Sequence, residues 1–444
     1  MSVKDVPDGK VAVTASSAPA GAASPQRDRD EVLATYLIES FYPLEQAADV
    51  LAGEQSSGTF TKIPRETQSL QDRHRARVVR IEHRPARDTP SLPGAARVAG
   101  QTKVNTGVVT VSFPMENFGT SLPNLMAAVL GNLFELRELA GVRLLDLELP
   151  DAFAAHYPGP AFGIRGTREL MSVPDGVMVG TIVKPSVGLR PDELREVVRE
   201  LVEGGVDFIK DDELIGDPPY SPLSERVRVV MEEIDRGAQR TGKKVMYAFN
   251  ITDDLQRMLA HHDTVLKRGG NCVMVCINLI GFAGLSLLRE HSQLPIHGHR
   301  AMIGALMRHP ALGIDFRAYQ KLARLAGADH LHTNGMNNKF YETNEEVAAS
   351  VQAVLTPMFG AYESLPVLSS GQWAGTAPVT YDLINSTDVL MLAGGGIHAH
   401  PGGSAAGVAS IRQGWEAALS GTPLNEYAST REPLQQAIQK FGMH

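Results

Sequence analysis

Hydrophobic and polar positions change rhythm twice along this chain. Residues 1–30 mix Ala, Ser, Pro and charges with no apolar period, the composition of a disordered tail. From residue 31 to 165 the pattern is mixed. VVTVSFP alternates as a strand does, LPNLMAAVLGNLF has the spacing of an amphipathic helix, and LATYLIESFYP is another apolar run. An α+β N-terminal domain over residues 31–165 is the expectation. Within it, QDRHRARVVRIEHRPAR is densely basic, and a solvated strand-and-loop face explains it about as well as any binding role.

Over residues 166–444, short apolar runs alternate with helical periods. The strand candidates are VMVGTIVKP, VDFIKDDE, KVMYAFNIT, CVMVCIN, LPIHGHR, DHLHTNG, LPVLSSG and DVLMLAGGG, with helical stretches such as PDELREVVRELVEGG and FRAYQKLARLAGA between them. Eight such units predict a (β/α)₈ barrel, an α/β fold with parallel strands. A doubly wound open sheet is the runner-up and usually needs fewer strands. The length of 444 residues fits two domains, since an α/β barrel alone takes about 250.

Composition narrows the classes. The chain is 43% hydrophobic and 21% charged, ordinary for a soluble globular protein. Its formal net charge of −8 argues against a nucleic-acid partner. No apolar stretch reaches about 18 residues and no apolar signal core opens the chain, so a membrane partner is not expected and a cytoplasmic location is the default. Cys272 and Cys276 share one face of an apolar run, which points to packing rather than a disulfide or metal pair.

Chemistry in such a barrel sits at the C-terminal ends of the strands. Those ends carry Lys184, Lys210 with Asp212 and Glu213, His299 and Arg300, His332, Ser369, and Gly394 to Gly396. Polar groups recurring at one structural position in unit after unit indicate an enzyme. In Lys210-Asp211-Asp212-Glu213, two carboxylates could serve a hard cation such as Mg²⁺. Lysine can join them only as a carbamate, which requires a neutral amine, and at pH 7 only about one free lysine in 2,500 is neutral. Taken alone, the motif is equally an ordinary strand-end salt bridge. Lys184 is a proton shuttle, a Schiff-base nucleophile or a snorkelling strand-end lysine. The pairs His297/His299, His330/His332 and His398/His400 invite a zinc-hydrolase reading, but the first strand has no histidine and the carboxylates favour Mg²⁺. Ser369-Ser370-Gly371 and Gly394-Gly395-Gly396 end the last two strands, where glycine lets backbone N–H groups approach a phosphate.

Together, GTIVKPSVGL, GGVDFIKDDE, HGHRAM, GADHLHTNGMNNK, PVLSSG and AGGGIHAHPGG, with Glu54-Gln55-Ser56-Ser57-Gly58-Thr59-Phe60 and Gly131-Asn132-Leu133-Phe134, resemble the large subunit of ribulose bisphosphate carboxylase/oxygenase. The likeness is greater to its non-carboxylating relatives and runs from about residue 32 to 430. It implies one Mg²⁺ per site held by carbamylated Lys210, Asp212 and Glu213, with the carbamate made from CO₂. Lys184 would be the central acid/base and His299 a second acid/base or polarising group. Arg300, His332 and Ser369 would form one phosphate or polar-end site. Thr59, Gly371, Gly394 and Gly395 would form the other, with Lys339 on a mobile loop closing over the substrate. Glu54 and Asn132 would reach into a partner's barrel, which implies a homodimer with shared sites.

Departures from the family's pattern matter as much. Ser186 stands where carboxylating members have a second lysine, the mobile loop reads Asn334-Gly335-Met336-Asn337-Asn338-Lys339 without a Gly-Lys ending, Ser370 replaces a glycine and Phe60 a tryptophan. Losing the second lysine removes positive charge where CO₂ addition demands it, so carbon fixation is not expected. Asn132, Lys339, His299 and Glu54 match residues that in the family hold a carboxylated β-keto intermediate. The resulting expectation is decarboxylation, or transcarboxylation and hydrolysis, of 3-oxo-isoapionate 4-phosphate in apionate catabolism. The alternatives are a 2,3-diketo-5-methylthiopentyl-1-phosphate enolase or methylthioribulose-phosphate isomerase of methionine salvage, and a non-catalytic regulatory homologue.

Overall fold

The computed structural model describes residues 30–58 and 63–442. The tail expected over residues 1–30 falls outside that range except for Asp30, and so do Thr59 and Phe60. Thirteen strands form two sheets among the described residues. The first sheet contains β1 (Glu31–Ser40), β2 (Arg77–Arg87), β3 (Val104–Pro114) and β4 (Gly141–Glu148). Strand β1 is central and antiparallel to β3 and β4, and β2 pairs antiparallel with β3 at the edge. The basic stretch found in the sequence is this edge strand and its approach, and β2 is almost entirely exposed. Charge on an open sheet edge discourages pairing with other chains.

The amphipathic run LPNLMAAVLGNLF gives a helix only over Leu122–Val129. Ser121 Oγ caps it by accepting from Asn124 N at 3.4 Å, and Pro123 sits in its first turn. The chain then turns at Gly131, whose φ is +22°. A Cβ there would lie 2.4 Å from both Ala127 O and the Gln55 side chain, so glycine ends the helix earlier than the apolar spacing predicts.

The second sheet closes into the expected barrel of eight parallel strands: β5 (Met178–Ile182), β6 (Phe208–Lys210), β7 (Met246–Asn250), β8 (Cys272–Cys276), β9 (Ile296–His299), β11 (His330–His332), β12 (Leu365–Leu368) and β13 (Leu390–Leu392). Both faces of these strands are covered, which is why they read as continuous apolar runs. Inward positions still alternate with outward ones. Met178, Phe208, Met246, Cys272, Met274, Leu365, Val367, Leu390 and Leu392 fill the barrel interior. Val179, Ile209, Tyr247, Val273 and Leu331 join the larger core. Gly180 faces inward, and a Cβ there would come within 2.6 Å of Leu392 Cδ2. Cys272 and Cys276 are both free and buried, as packing residues.

Strand β10 (Leu312–Ile314) has no counterpart in the sequence reading. It leaves the barrel between β9 and β11 and pairs in parallel with β4 of the N-terminal sheet. Arg143 on β4 donates to Met307 O (2.7 Å) and His309 O (2.8 Å), and Lys321 pairs with Asp146 at 2.7 Å. The two sheets are thereby fixed against each other. No helix of the described residues is long and apolar enough to cross a membrane.

Candidate active site at the barrel mouth

Inward-facing positions change character at the C-terminal end of the barrel. Below are Met and Leu side chains. The last inward positions are Lys210 on β6, His299 on β9 and His332 on β11. Lys184 follows two residues after β5. A cavity of about 670 Å³ opens above them. Lys184, Lys210, Asp212, Glu213, His299, Arg300, His332, Lys339, Ser369, Gly371, Gly394 and Gly395 all line it.

Lys210 is 1% exposed. Its Nζ donates to Asp211 O at 2.8 Å and lies 3.4 Å from Glu213 Oε2. Burial pulls this amine below its ordinary range, and the opposing pull of Glu213 and Asp212 does not cancel that effect. Asp212 Oδ2 accepts from Lys184 Nζ at 2.8 Å, and Lys184 also donates to Ser186 Oγ at 2.6 Å. Ser186 thus touches the lysine beside which carboxylating members carry a second cation. His299 Nε2 lies 3.5 Å from Glu213 Oε2. Burial pushes the His299 imidazole well down, helped by the charges of Lys210 and Arg300.

Of the consecutive carboxylates, Asp211 is turned away from the cavity. It is buried, and it accepts from Tyr247 Oη (2.6 Å), Asn250 N (2.9 Å) and Arg226 (3.2 Å). Arg226 also donates to Ser221 O and Gly216 O, so this pair holds the loop that carries Asp212 and Glu213.

His297/His299 and His330/His332 each share the inward face of one strand and divide by depth. His299 and His332 face the cavity. His297 and His330 lie deeper, in one hydrogen-bonded chain: Ser369 Oγ to His332 Nδ1 (3.3 Å), His332 Nε2 to His297 Nε2 (2.7 Å), His297 Nδ1 to His330 Nδ1 (3.3 Å), and His330 Nε2 to Thr167 Oγ1 (2.8 Å). Burial depresses all three imidazoles, His330 down to about 3. His398 reaches Ile182 O and His400 reaches Pro433 O, both as structural contacts.

At the glycine end of the cavity, Gly371 has φ +77°. A Cβ at Gly395 would meet nothing within 4 Å, so the backbone there fronts open space. Ser370, which replaces the family's glycine, keeps a left-handed φ of +73° and donates to Asn334 Oδ1 at 3.0 Å. Lys339 is exposed at the rim, its Nζ 5.4 Å from the Phe340 ring.

Two predicted residues lie elsewhere, and a third, Thr59, is outside the described residues. Glu54 and Asn132 are exposed on the N-terminal domain and do not line this chain's cavity. They are neighbours, because the Gln55 amide, in the orientation that satisfies its partners, donates to Ala127 O (3.1 Å) and accepts from the N–H groups of Asn132 (2.9 Å) and Leu133 (3.2 Å). The cavity also contains residues that the sequence reading did not single out, notably Glu342 and Arg308. No motif marks them.

Residues 163–441 match the catalytic domain of the ribulose bisphosphate carboxylase large chain, and residues 23–153 match its N-terminal domain. The chain belongs to that family. It is 49% identical, over 92% of its length and 99% of the relative's, to the 3-oxo-isoapionate-4-phosphate transcarboxylase/hydrolase of Xanthobacter autotrophicus. It is 46% identical, over 92% and 98%, to the 3-oxo-isoapionate-4-phosphate decarboxylase of Rhizobium etli. Among solved structures, a rubisco-like protein from Burkholderia fungorum superimposes with a TM-score of 0.87 at 46% identity, covering 93% of this chain and all of that one.

Proposed function

We propose that this chain is a Mg²⁺-dependent, enolate-forming enzyme acting on 3-oxo-isoapionate 4-phosphate, by decarboxylation or by transcarboxylation and hydrolysis. The observation that carries the reading is near full-length identity of 49% and 46% to relatives named for that substrate. The cavity chemistry supports it. A carbamate on Lys210, with Asp212 and Glu213, would supply three oxygen donors of the kind a hard cation takes. The carbamate forms when the neutral Lys210 amine attacks CO₂ and releases a proton, and burial favours the neutral amine. When bound, Mg²⁺ would supply positive charge to the developing enolate oxygen.

The chain's own groups account for the other steps. In a 3-oxo acid the bond from the carboxylate carbon to C2 breaks, its electron pair moves toward the C3 oxygen, and CO₂ leaves. C2 then takes a proton, which Lys184 donates in this reading. His299, kept neutral by burial, would polarise the C3 carbonyl by donating a hydrogen bond as charge builds on its oxygen. Gly371, Gly394, Gly395 and Thr59 hold the phosphate, Arg300, His332 and Ser369 hold the polar end, and Lys339 closes over both. Glu54 and Asn132 serve the cavity of a second copy, giving a homodimer with shared sites. Ser186 in place of a lysine disfavours CO₂ addition.

The test is turnover of 3-oxo-isoapionate 4-phosphate with Mg²⁺ and bicarbonate, followed by NMR and CO₂ release, with the diketo methylthio substrate in parallel. Release of CO₂ is expected for decarboxylation, and glycolate with phosphoglycerate for hydrolytic cleavage. Lys210→Met should abolish either. No turnover of the first substrate, or turnover of the methylthio compound alone, refutes the proposal.

A further inference from the structure

The loop between β11 and the helix Asn344–Leu355 turns a carboxylate back into the cavity. Glu342 Oε2 lies 2.6 Å from one terminal nitrogen of Arg300, and Oε1 lies 3.4 Å from the other. Asn334 Nδ2 donates to the same carboxylate. The side chains of Arg300 and Glu342 are only 9% and 10% exposed, and the guanidinium also lies over the Phe316 ring at 5.6 Å. A two-pronged, largely desolvated pair of this kind is strong and geometrically specific. Arg300 is therefore already matched within the chain, while Arg308, also at the cavity, lies over the Tyr341 ring at 5.7 Å.

The glycine end differs. The carboxylates lining the cavity are Asp212, Glu213 and Glu342, and none comes from the loops after β12 or β13. An anion beside Gly371, Gly394 and Gly395 meets backbone and open space. An anion beside Arg300 meets Glu342.

We propose that Glu342 is a specificity residue: by neutralising Arg300 it excludes a second phosphate from that end of the cavity and leaves room for an uncharged, hydroxyl-bearing end. The inference rests on reading this site as one for a monophosphate. It separates this chain's substrate class from the bisphosphates for which the family is named, and it uses like-charge rejection rather than added contacts.

Glu342→Gln keeps the size and hydrogen-bonding capacity of the side chain while removing its charge. Titration calorimetry on the full-length protein, with Mg²⁺ and bicarbonate, would compare ribulose 1,5-bisphosphate with 3-oxo-isoapionate 4-phosphate. The variant should gain at least tenfold in affinity for the bisphosphate relative to the monophosphate. Glu342→Asp, which retains the charge, should show no such gain, and adding Arg300→Gln to Glu342→Gln should remove it. An unchanged preference in folded Glu342→Gln overturns the proposal. So does a tenfold gain for the monophosphate alone, because Glu342 would then cover the site of the single phosphate. If 3-oxo-isoapionate 4-phosphate neither binds nor reacts while the bisphosphate gain appears, the substrate assignment falls and the exclusion by Glu342 stands.

Discussion

Lys210, His299 and His332 end their strands inside the barrel, where desolvation drives each toward its neutral form. For Lys210 burial acts in the direction that the proposed carbamate needs, because a free lysine is almost never neutral at pH 7. His330 shows the same physics at a position without a proposed chemical role. Its value is pushed down to about 3 by burial, below the roughly 6.5 of an unfolded histidine. The unfolded chain therefore takes up the proton first as pH falls. The stability contribution of His330 is complete above about pH 6.5 and declines by about 1.4 kcal/mol per pH unit down to about pH 3. Wild-type thermal midpoints should fall between pH 7.5 and 5.5. His330→Gln should remove about 1.4 kcal/mol of that difference. An equal fall in the variant would mean that His330 titrates normally in the folded protein.

At the scale of elements, the strand-end loops decide which polar residues become site residues. Asp211 and Asp212 are the same residue type side by side, and the family resemblance picks out Asp212 with Glu213. The β6 strand ends so that Asp211 turns outward into Arg226 and Tyr247, while its neighbours line the cavity. Arg226 is fully buried and anchors the loop at three acceptors. Removing one partner of a buried pair leaves an uncompensated charge, at a cost of about 3–5 kcal/mol. Arg226→Met should accordingly lower the thermal midpoint by about 3–5 °C and weaken the proposed Mg²⁺-dependent turnover along with it. A midpoint within experimental error of wild type would show that the loop holds itself.

At the scale of the whole molecule, strand β10 and the contacts of Arg143 and Lys321 fix the N-terminal sheet on the barrel's flank. Glu54 and Asn132 are exposed side by side on that sheet's domain, apart from their own chain's cavity. In the proposed dimer each chain completes the other's site. Co-expressed Lys210→Met and Asn132→Ala chains, each inactive alone, should then recover roughly a quarter of wild-type activity, since half of randomly assorted dimers are mixed and each mixed dimer keeps one intact site. Full activity of Asn132→Ala alone, or no recovery in verified mixed dimers, would exclude shared sites. The sequence by itself determined the barrel, its strands and most of the groups at its mouth. Strand alternation and the C-terminal position of chemistry are local rules, and local patterns carry them. Only the tertiary structure decided what Asp211 pairs with once it turns from the cavity, how deep burial shifts Lys210 and the histidines toward their neutral forms, where β10 pairs, and that Glu342 meets Arg300. Each of those depends on groups far apart in the chain, and desolvation and charge pairing exist only once the fold has brought them together.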